Sequence, residues 1–186
     1  LTLFIVLTGV CIGLLGLMSD FGTAAIFFVT FLVIAYLRSG DAATLALICG
    51  GAVFGAGIIV KFKPYILSRF AAWGHAWEAA SGSGYQQTRT MSAAASGGLF
   101  GMGAGNGWLE NIPAGDTDLV FGMLSEEWGL VIALLAVACI LTLAWFAVRA
   151  SRAGRSSFYT IAACAAGSLL VFQTCLNVFG SVDLLP

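Results

Sequence analysis

The sequence predicts an all-α, polytopic transmembrane helical bundle, and three observations carry that prediction. Of its 186 residues 60% are hydrophobic and 9% charged, with a mean hydropathy of +0.98, a balance that a water-soluble domain of this size could not hide in its core. Apolar stretches at about 1–18, 22–37, 42–60, 128–148 and 158–180 approach the ~20 residues needed to cross a ~30 Å hydrocarbon layer, and read as five spanning helices. Between the third and the fourth lies one long stretch of mixed character, 61–127, holding six of the nine acidic residues and four of the eight basic ones.

In chain order, 1–60 reads as three transmembrane helices, 61–127 as an exposed loop, and 128–186 as two more helices joined by a short basic connection, all in one membrane domain. That connection carries Arg149, Arg152 and Arg155. Lys and Arg in short loops stay on the cytoplasmic side during insertion, so 149–157 is expected inside. Alternating the helices from there puts Arg38 inside and Asp20, the 61–127 loop and Asp183 outside. The loop's own Lys61, Lys63, Arg69 and Arg89 do not overturn this, because long external loops are largely exempt from the charge rule. The chain opens at Leu1 within an apolar run, with no basic n-region of a signal peptide, and stops at Pro186, so a piece of a longer protein, inactive alone, is expected.

Within the loop, Pro64 to Glu78 places Tyr65, Ile66, Leu67, Phe70, Trp73 and Trp77 among Lys63, Arg69 and His75, a composition suited to an interfacial helix in the headgroup layer. Met91 to Phe100 is apolar but too short to cross. It leads into Gly97, Gly98, Gly101, Gly103 and Gly105, which suit a re-entrant turn or close backbone packing. The Gly-x-Gly-x-x-Gly spacing of a dinucleotide site fails at the third glycine and no strand precedes it.

Charge and cysteine usage remove other classes. A net charge of −1 without a clustered basic surface gives no nucleic-acid partner. Cys11, Cys49, Cys139, Cys164 and Cys175 all lie in apolar runs without a Cys-x-x-Cys pair, so they read as buried, inert thiols rather than metal or redox groups.

The strongest polar cluster is Asp116-Thr117-Asp118, followed by Glu126-Glu127 where the fourth helix begins. Carboxylates so close can hold one proton high and act as a general base or a cation site. The plainer reading is a solvated loop whose acids complement a helix dipole. Lys61, Lys63, Arg69 and Arg89 could bind lipid phosphates or anchor the loop to headgroups, and His75 between Trp73 and Trp77 reads as interfacial. Gln173 and Asn177, one turn apart on the last helix, share a face that should meet another helix or a polar cavity.

Taken together, Asp20-Phe-Gly-Thr23, Gly84-Tyr-Gln86, Ser96-Gly-Gly-Leu-Phe-Gly101-x-Gly103-x-Gly105, Thr117-Asp118-x-Val-Phe, Glu126-Glu127-x-Gly129, Gln173-x-x-x-Asn177 and Leu184-Leu-Pro186 resemble, in order and spacing, the shape, elongation, division and sporulation family of FtsW, RodA and SpoVE. The resemblance covers nearly the whole chain. It implies five spanning helices here of about ten in the family, each near the ~20-residue crossing length. It also implies a multi-pass protein of the bacterial plasma membrane that polymerises lipid II into glycan strands for cell division or cell shape. The implied partners are lipid II, a class B penicillin-binding transpeptidase, and other divisome or elongasome membrane proteins.

Carried over by residue, Asp118 matches the family's Thr-Asp acid and is expected to be catalytic. Substrate contacts are expected from Arg69, Gln86, Arg89, Ser96, Gly97, Gly98, Thr117 and Glu127. No metal-ligating set is assigned, and a divalent cation, Mg or Mn, is the one cofactor candidate. The chain departs from the family pattern at Met18-Ser19, at Arg89, at Ala114-Gly115-Asp116 and at Glu110, which stands where a Lys is typical. Two other readings compete with the polymerase: a flippase moving lipid II across the membrane, and a scaffold that only activates its transpeptidase. An outer loop rich in polar residues beside an almost purely apolar 128–148 favours surface chemistry over a polar path through the bundle.

Overall fold

The computed structural model describes residues 2–62, 65–113, 115–152 and 156–185, without the side chains of Thr2, Phe62, Tyr65, Ser68, Arg69, Ala72 and Asp116. Nine α-helices and one 3-10 turn make up the described residues, and no strand occurs among them. Helices α1 (Thr2–Leu17), α2 (Phe21–Ser39) and α3 (Ala42–Phe62) come first, then the short α4 (Tyr65–Ala72) and α5 (Tyr85–Gly97). A 3-10 turn (Leu109–Asn111), α6 (Gly115–Asp118) and α7 (Val120–Glu127) lead into the long α8 (Gly129–Ser151) and α9 (Ser157–Ser181).

Among the described residues four helices are long and apolar enough to cross a membrane: α2, α3 over Ala42–Lys61, α8 and α9. The chain is thus a multi-pass helical membrane protein, and the first of the five expected apolar stretches is the helix α1, described over 16 residues. What ends α1 is the start of α2: Asp20 turns its carboxylate to the Thr23 amide at 3.1 Å, capping α2 and fixing the bend. The Asp20-Phe-Gly-Thr23 motif is therefore a helix cap in this fold. Gly40, left-handed at φ +64°, ends α2, and Asp41 opens α3 by accepting from the Ala43 and Thr44 amides at 3.0 and 3.3 Å.

The chain divides into two compact units. One comprises residues 1–63 and 141–173, the other 64–140 and 174–186. In the first, α1 packs on α2 and α2 on α3. Ala24, Phe31 and Ala35 make a buried stripe on α2, and Phe4 of α1 meets Phe31 with ring centroids 5.3 Å apart. Gly167 of α9 faces the Ala144 backbone of α8, where an added Cβ would make only ordinary contact, 3.5 Å from the Ala144 carbonyl oxygen. Thr160 adds a hydroxyl bond to the Ser151 carbonyl at 3.0 Å.

The second unit holds the stretch read from sequence as one loop, and most of it is helical. The interfacial helix expected over Pro64–Glu78 is described only across Tyr65–Ala72, because Gly74 at φ +72° turns the chain. Met91–Gly97, expected to begin a re-entrant turn, is the second half of α5; the turn comes at Gly98, φ +58°. Beneath these elements sits a small core of Ala93, Leu109, Ile112 and Leu119, flanked by Trp108 and Met123. Residues 182–185 join the same unit. Trp73 donates its indole N–H to the Leu184 carbonyl at 3.1 Å, and the Asp183 carboxylate accepts from the Ala76 amide at 3.4 Å.

Candidate active site

The site forms where α5, the 3-10 turn, α6 and α7 pack on one another. Close approach of α5 to α7 depends on two glycines. A side chain at Gly122 would collide with Thr90, itself fully buried, and one at Gly97 would collide with the backbone oxygens of Ser125 and Glu126. The glycine-rich turn after α5 then runs along the α7–α8 junction and bonds to it through backbone alone. Met102 and Gly103 amides donate to the Glu126 and Glu127 carbonyls at 2.9 and 3.0 Å, and the Leu130 amide donates to the Gly98 carbonyl at 3.0 Å. Gly101 and Gly129 both lie at positive φ, +83° and +87°, where a Cβ would strike the opposing strand of this clasp. The Ser96-to-Gly105 and Glu126-to-Gly129 motifs are thus two halves of one interlock.

Glu126 locks the clasp from inside. It is almost fully buried, and its two carboxylate oxygens accept from the Trp108 and Leu109 amides at 2.9 and 3.1 Å, capping the 3-10 turn. Gly107 lets the carboxylate in, since a Cβ there would press on Glu126 Oε2. The sequence grouped Glu126 with Glu127 as a tuner of the base or a metal ligand. Here Glu126 is committed to the backbone, whereas Glu127, half-buried, ends α7.

Asp118 ends α6, and Leu119 separates it from α7. Its carboxylate is exposed and has no hydrogen-bond partner among the described residues, while Leu119 beside it is buried in the small core. The backbone on both sides of this break is held by Asn177 of α9. Its Oδ1 accepts from the Phe121 amide at 2.8 Å, and its Nδ2 donates to the Asp118 carbonyl at 3.0 Å, with the Thr117 carbonyl at 3.5 Å. Asn177 is the site residue to which sequence reasoning gave no role; its signals were the shared helix face with Gln173 and the place of that pair among the family motifs.

The remaining expected residues fall as follows. Gln86 lies on α5 and donates from Nε2 to the Pro113 carbonyl at 3.0 Å, tying the segment before α6 to α5. Arg89 is exposed, with its guanidinium 5.3 Å from the Tyr85 ring centroid. Ser96 is exposed and bonds back to the Ala93 carbonyl at 2.7 Å. Gly97 is buried in the contact with α7, Gly98 carries the turn, and Thr117 is exposed next to Asp118. The side chains of Arg69 and Asp116 lie outside the described residues. Among the described residues no three His, Cys, Asp or Glu side chains gather as a metal site, and both oxygens of Glu126 accept backbone amides. Glu110 is exposed on the 3-10 turn.

An exposed carboxylate on a rigidly braced backbone can accept a proton from a hydroxyl brought to it from solvent or from a membrane surface. Comparison with known proteins places this arrangement in context. A protein of Escherichia coli O6:H1 named "Probable peptidoglycan glycosyltransferase FtsW" is 33% identical over 175 residues, 90% of this chain and 42% of its own length. "Peptidoglycan glycosyltransferase RodA" of Mycobacterium bovis is 29% identical, covering 95% of this chain and 38% of itself. An FtsW of Allochromatium vinosum is 33% identical over 98% of this chain and 47% of itself. The chain therefore spans less than half the length of these curated relatives. The whole of it, residues 1–186, matches the family described as cell cycle protein, and the chain belongs to that FtsW/RodA/SpoVE family.

Proposed function

We propose that the protein bearing this chain is a peptidoglycan glycosyltransferase that polymerises lipid II during bacterial cell division or cell-shape maintenance, with Asp118 as its general base. The observation that carries the reading is the geometry at Asp118: an exposed carboxylate on a backbone fixed by Asn177 and by buried Leu119. The relatives' names supply the reaction class.

In this reaction the Asp118 carboxylate takes the proton of the acceptor sugar's 4-hydroxyl as that oxygen forms a bond to the donor's anomeric carbon. The bond from that carbon to undecaprenyl diphosphate breaks, the electron pair leaves with the diphosphate, and the centre inverts. An exposed base suits a substrate whose headgroup lies in water while its lipid tail stays in the bilayer. The leaving diphosphate needs positive charge, which Arg89, Arg69, Lys63 or a divalent cation, Mg or Mn, would supply. Thr117 adjoins the acid in sequence, and Gln86, Ser96, Gly97, Gly98 and Glu127 are the further residues that this reading assigns to the substrate.

The arginine-bearing connection 149–157 is assigned to the cytoplasm and the 61–127 segment to the outer face, where lipid II is consumed. The partners on this reading are a class B penicillin-binding transpeptidase, which cross-links the strands, and the divisome or elongasome around it. The test is reconstitution of the full-length protein with such a transpeptidase in vesicles carrying lipid II, following glycan strand length and lipid II translocation separately. Strands are expected. Translocation without strands would transfer the chain to the flippase reading, and neither activity, with transpeptidase stimulation retained, to the scaffold reading.

A further inference from the structure

We propose that Asn177 is the positioning residue of this site, aiming Asp118 through the backbone on both sides of the α6–α7 break; the inference rests on Asp118 being the general base. The break creates two unmet needs. Leu119, the N-cap residue of α7, has no side chain able to accept the first amides of that helix. The four-residue α6 ends in carbonyls that no further turn of its own satisfies. One carboxamide answers both, with its oxygen on the Phe121 amide at 2.8 Å and its nitrogen on the Asp118 carbonyl at 3.0 Å.

The chemistry selects the residue type. A site presenting one donor and one acceptor needs a side chain that is both acceptor and donor at the same reach. Aspartate of the same shape keeps only the acceptor and sets its second oxygen against the Asp118 and Thr117 carbonyls. Leucine keeps neither function. Asn177 is itself held, because the buried Ser181 hydroxyl donates to its carbonyl at 2.7 Å one turn further along α9. The Asp118 carboxylate has no hydrogen-bond partner among the described residues, so its direction is set by its backbone, and Asn177 is the side chain that fixes that backbone. A base displaced by ~1 Å from its proton loses rate by about a hundredfold while substrate binding is spared.

The experiment measures initial rates against lipid II concentration for the full-length protein with its transpeptidase, per folded membrane-inserted molecule. Asn177→Leu is expected to lower kcat by about a hundredfold with KM within about twofold of wild type. Asn177→Asp, which retains the Phe121 bond, is expected to lose more than about tenfold in kcat with KM again spared, and decides by the same split if the leucine variant does not fold. A merely structural role would instead give fewer folded molecules, each turning over at the wild-type kcat; that result, or a loss confined to KM, overturns the proposal. Asp118→Ala in the same series separates the two claims. Full turnover by Asp118→Ala removes the base and with it this inference, whereas an inactive Asp118→Ala beside a fully active Asn177→Leu overturns the role of Asn177 alone.

Discussion

Replacing Glu126 by alanine should unfasten the turn that leads into the site. Its carboxylate is almost fully buried and accepts from the Trp108 and Leu109 amides at 2.9 and 3.1 Å, with Leu109 itself fully buried. A buried donor left without its acceptor costs ~1–3 kcal/mol, so two orphaned amides in Glu126→Ala amount to ~2–6 kcal/mol, less whatever water entering the vacated space returns. Glu126→Gln keeps one acceptor and faces its NH2 against the other amide, so a loss of ~2 kcal/mol is expected. The assay is hydrogen exchange of the Trp108 and Leu109 amides in the micelle-embedded protein. A ~2 kcal/mol loss speeds exchange through local opening by about 30-fold, while amides deep in α8 keep their protection. Exchange at Trp108 and Leu109 unchanged in both variants would refute the clamp, and an equal acceleration in α8 would show that Glu126 supports the whole unit rather than the turn.

Gly97→Ala should be poorly tolerated, because its methyl would press on the Ser125 and Glu126 carbonyl oxygens, which are backbone and cannot step aside; overpacking of this kind costs ~1–3 kcal/mol and should appear as a lowered thermal midpoint. Gln86→Leu removes the bond to the Pro113 carbonyl at an exposed edge, so ~0.5–1.5 kcal/mol of local stability is expected to go, read as faster proteolysis between 109 and 118. Asp41 has its carboxyl held below its usual value, first by the Ala43 amide and then by the Thr44 hydroxyl. A lowered folded pKa means that this cap stabilises above the unfolded pKa of about 3.9 and fades as pH falls through the lower folded value. Asp41→Ala should therefore be less stable than wild type at neutral pH, with the gap closing in acid, measured by thermal denaturation across pH 2 to 7 (about the accessible range).

What the sequence made legible follows from how local each signal is. The membrane helices announce themselves by length and apolarity, which is why α2, α3, α8 and α9 fall within three residues of their expected bounds. The break between α1 and α2 was legible, because the first apolar run stops at Met18 and Asp20 caps the next helix from three residues away. Asp118 was singled out through family resemblance, since nothing in its immediate spacing separates a base from a solvated acid. Glu126 was read with Glu127 and Asn177 with Gln173, both without their true partners, which are backbone groups 18 and 56 residues away. A backbone amide carries no side-chain identity, so no pattern of residue types marks it. The glycine run told of tight packing, but not that its opposite face would be the Glu126–Val131 backbone.

The most direct measurement of the central claim is single-turnover lipid II polymerisation by the full-length protein with its transpeptidase, comparing wild type with Asp118→Asn at equal bound lipid II. The carboxamide keeps the size of the group and removes its basicity, so binding should persist while the rate falls by about a hundredfold or more, as expected for loss of a general base. Strand formation by Asp118→Asn at the wild-type rate would show that Asp118 takes no proton from the acceptor, and the catalytic group would have to lie elsewhere.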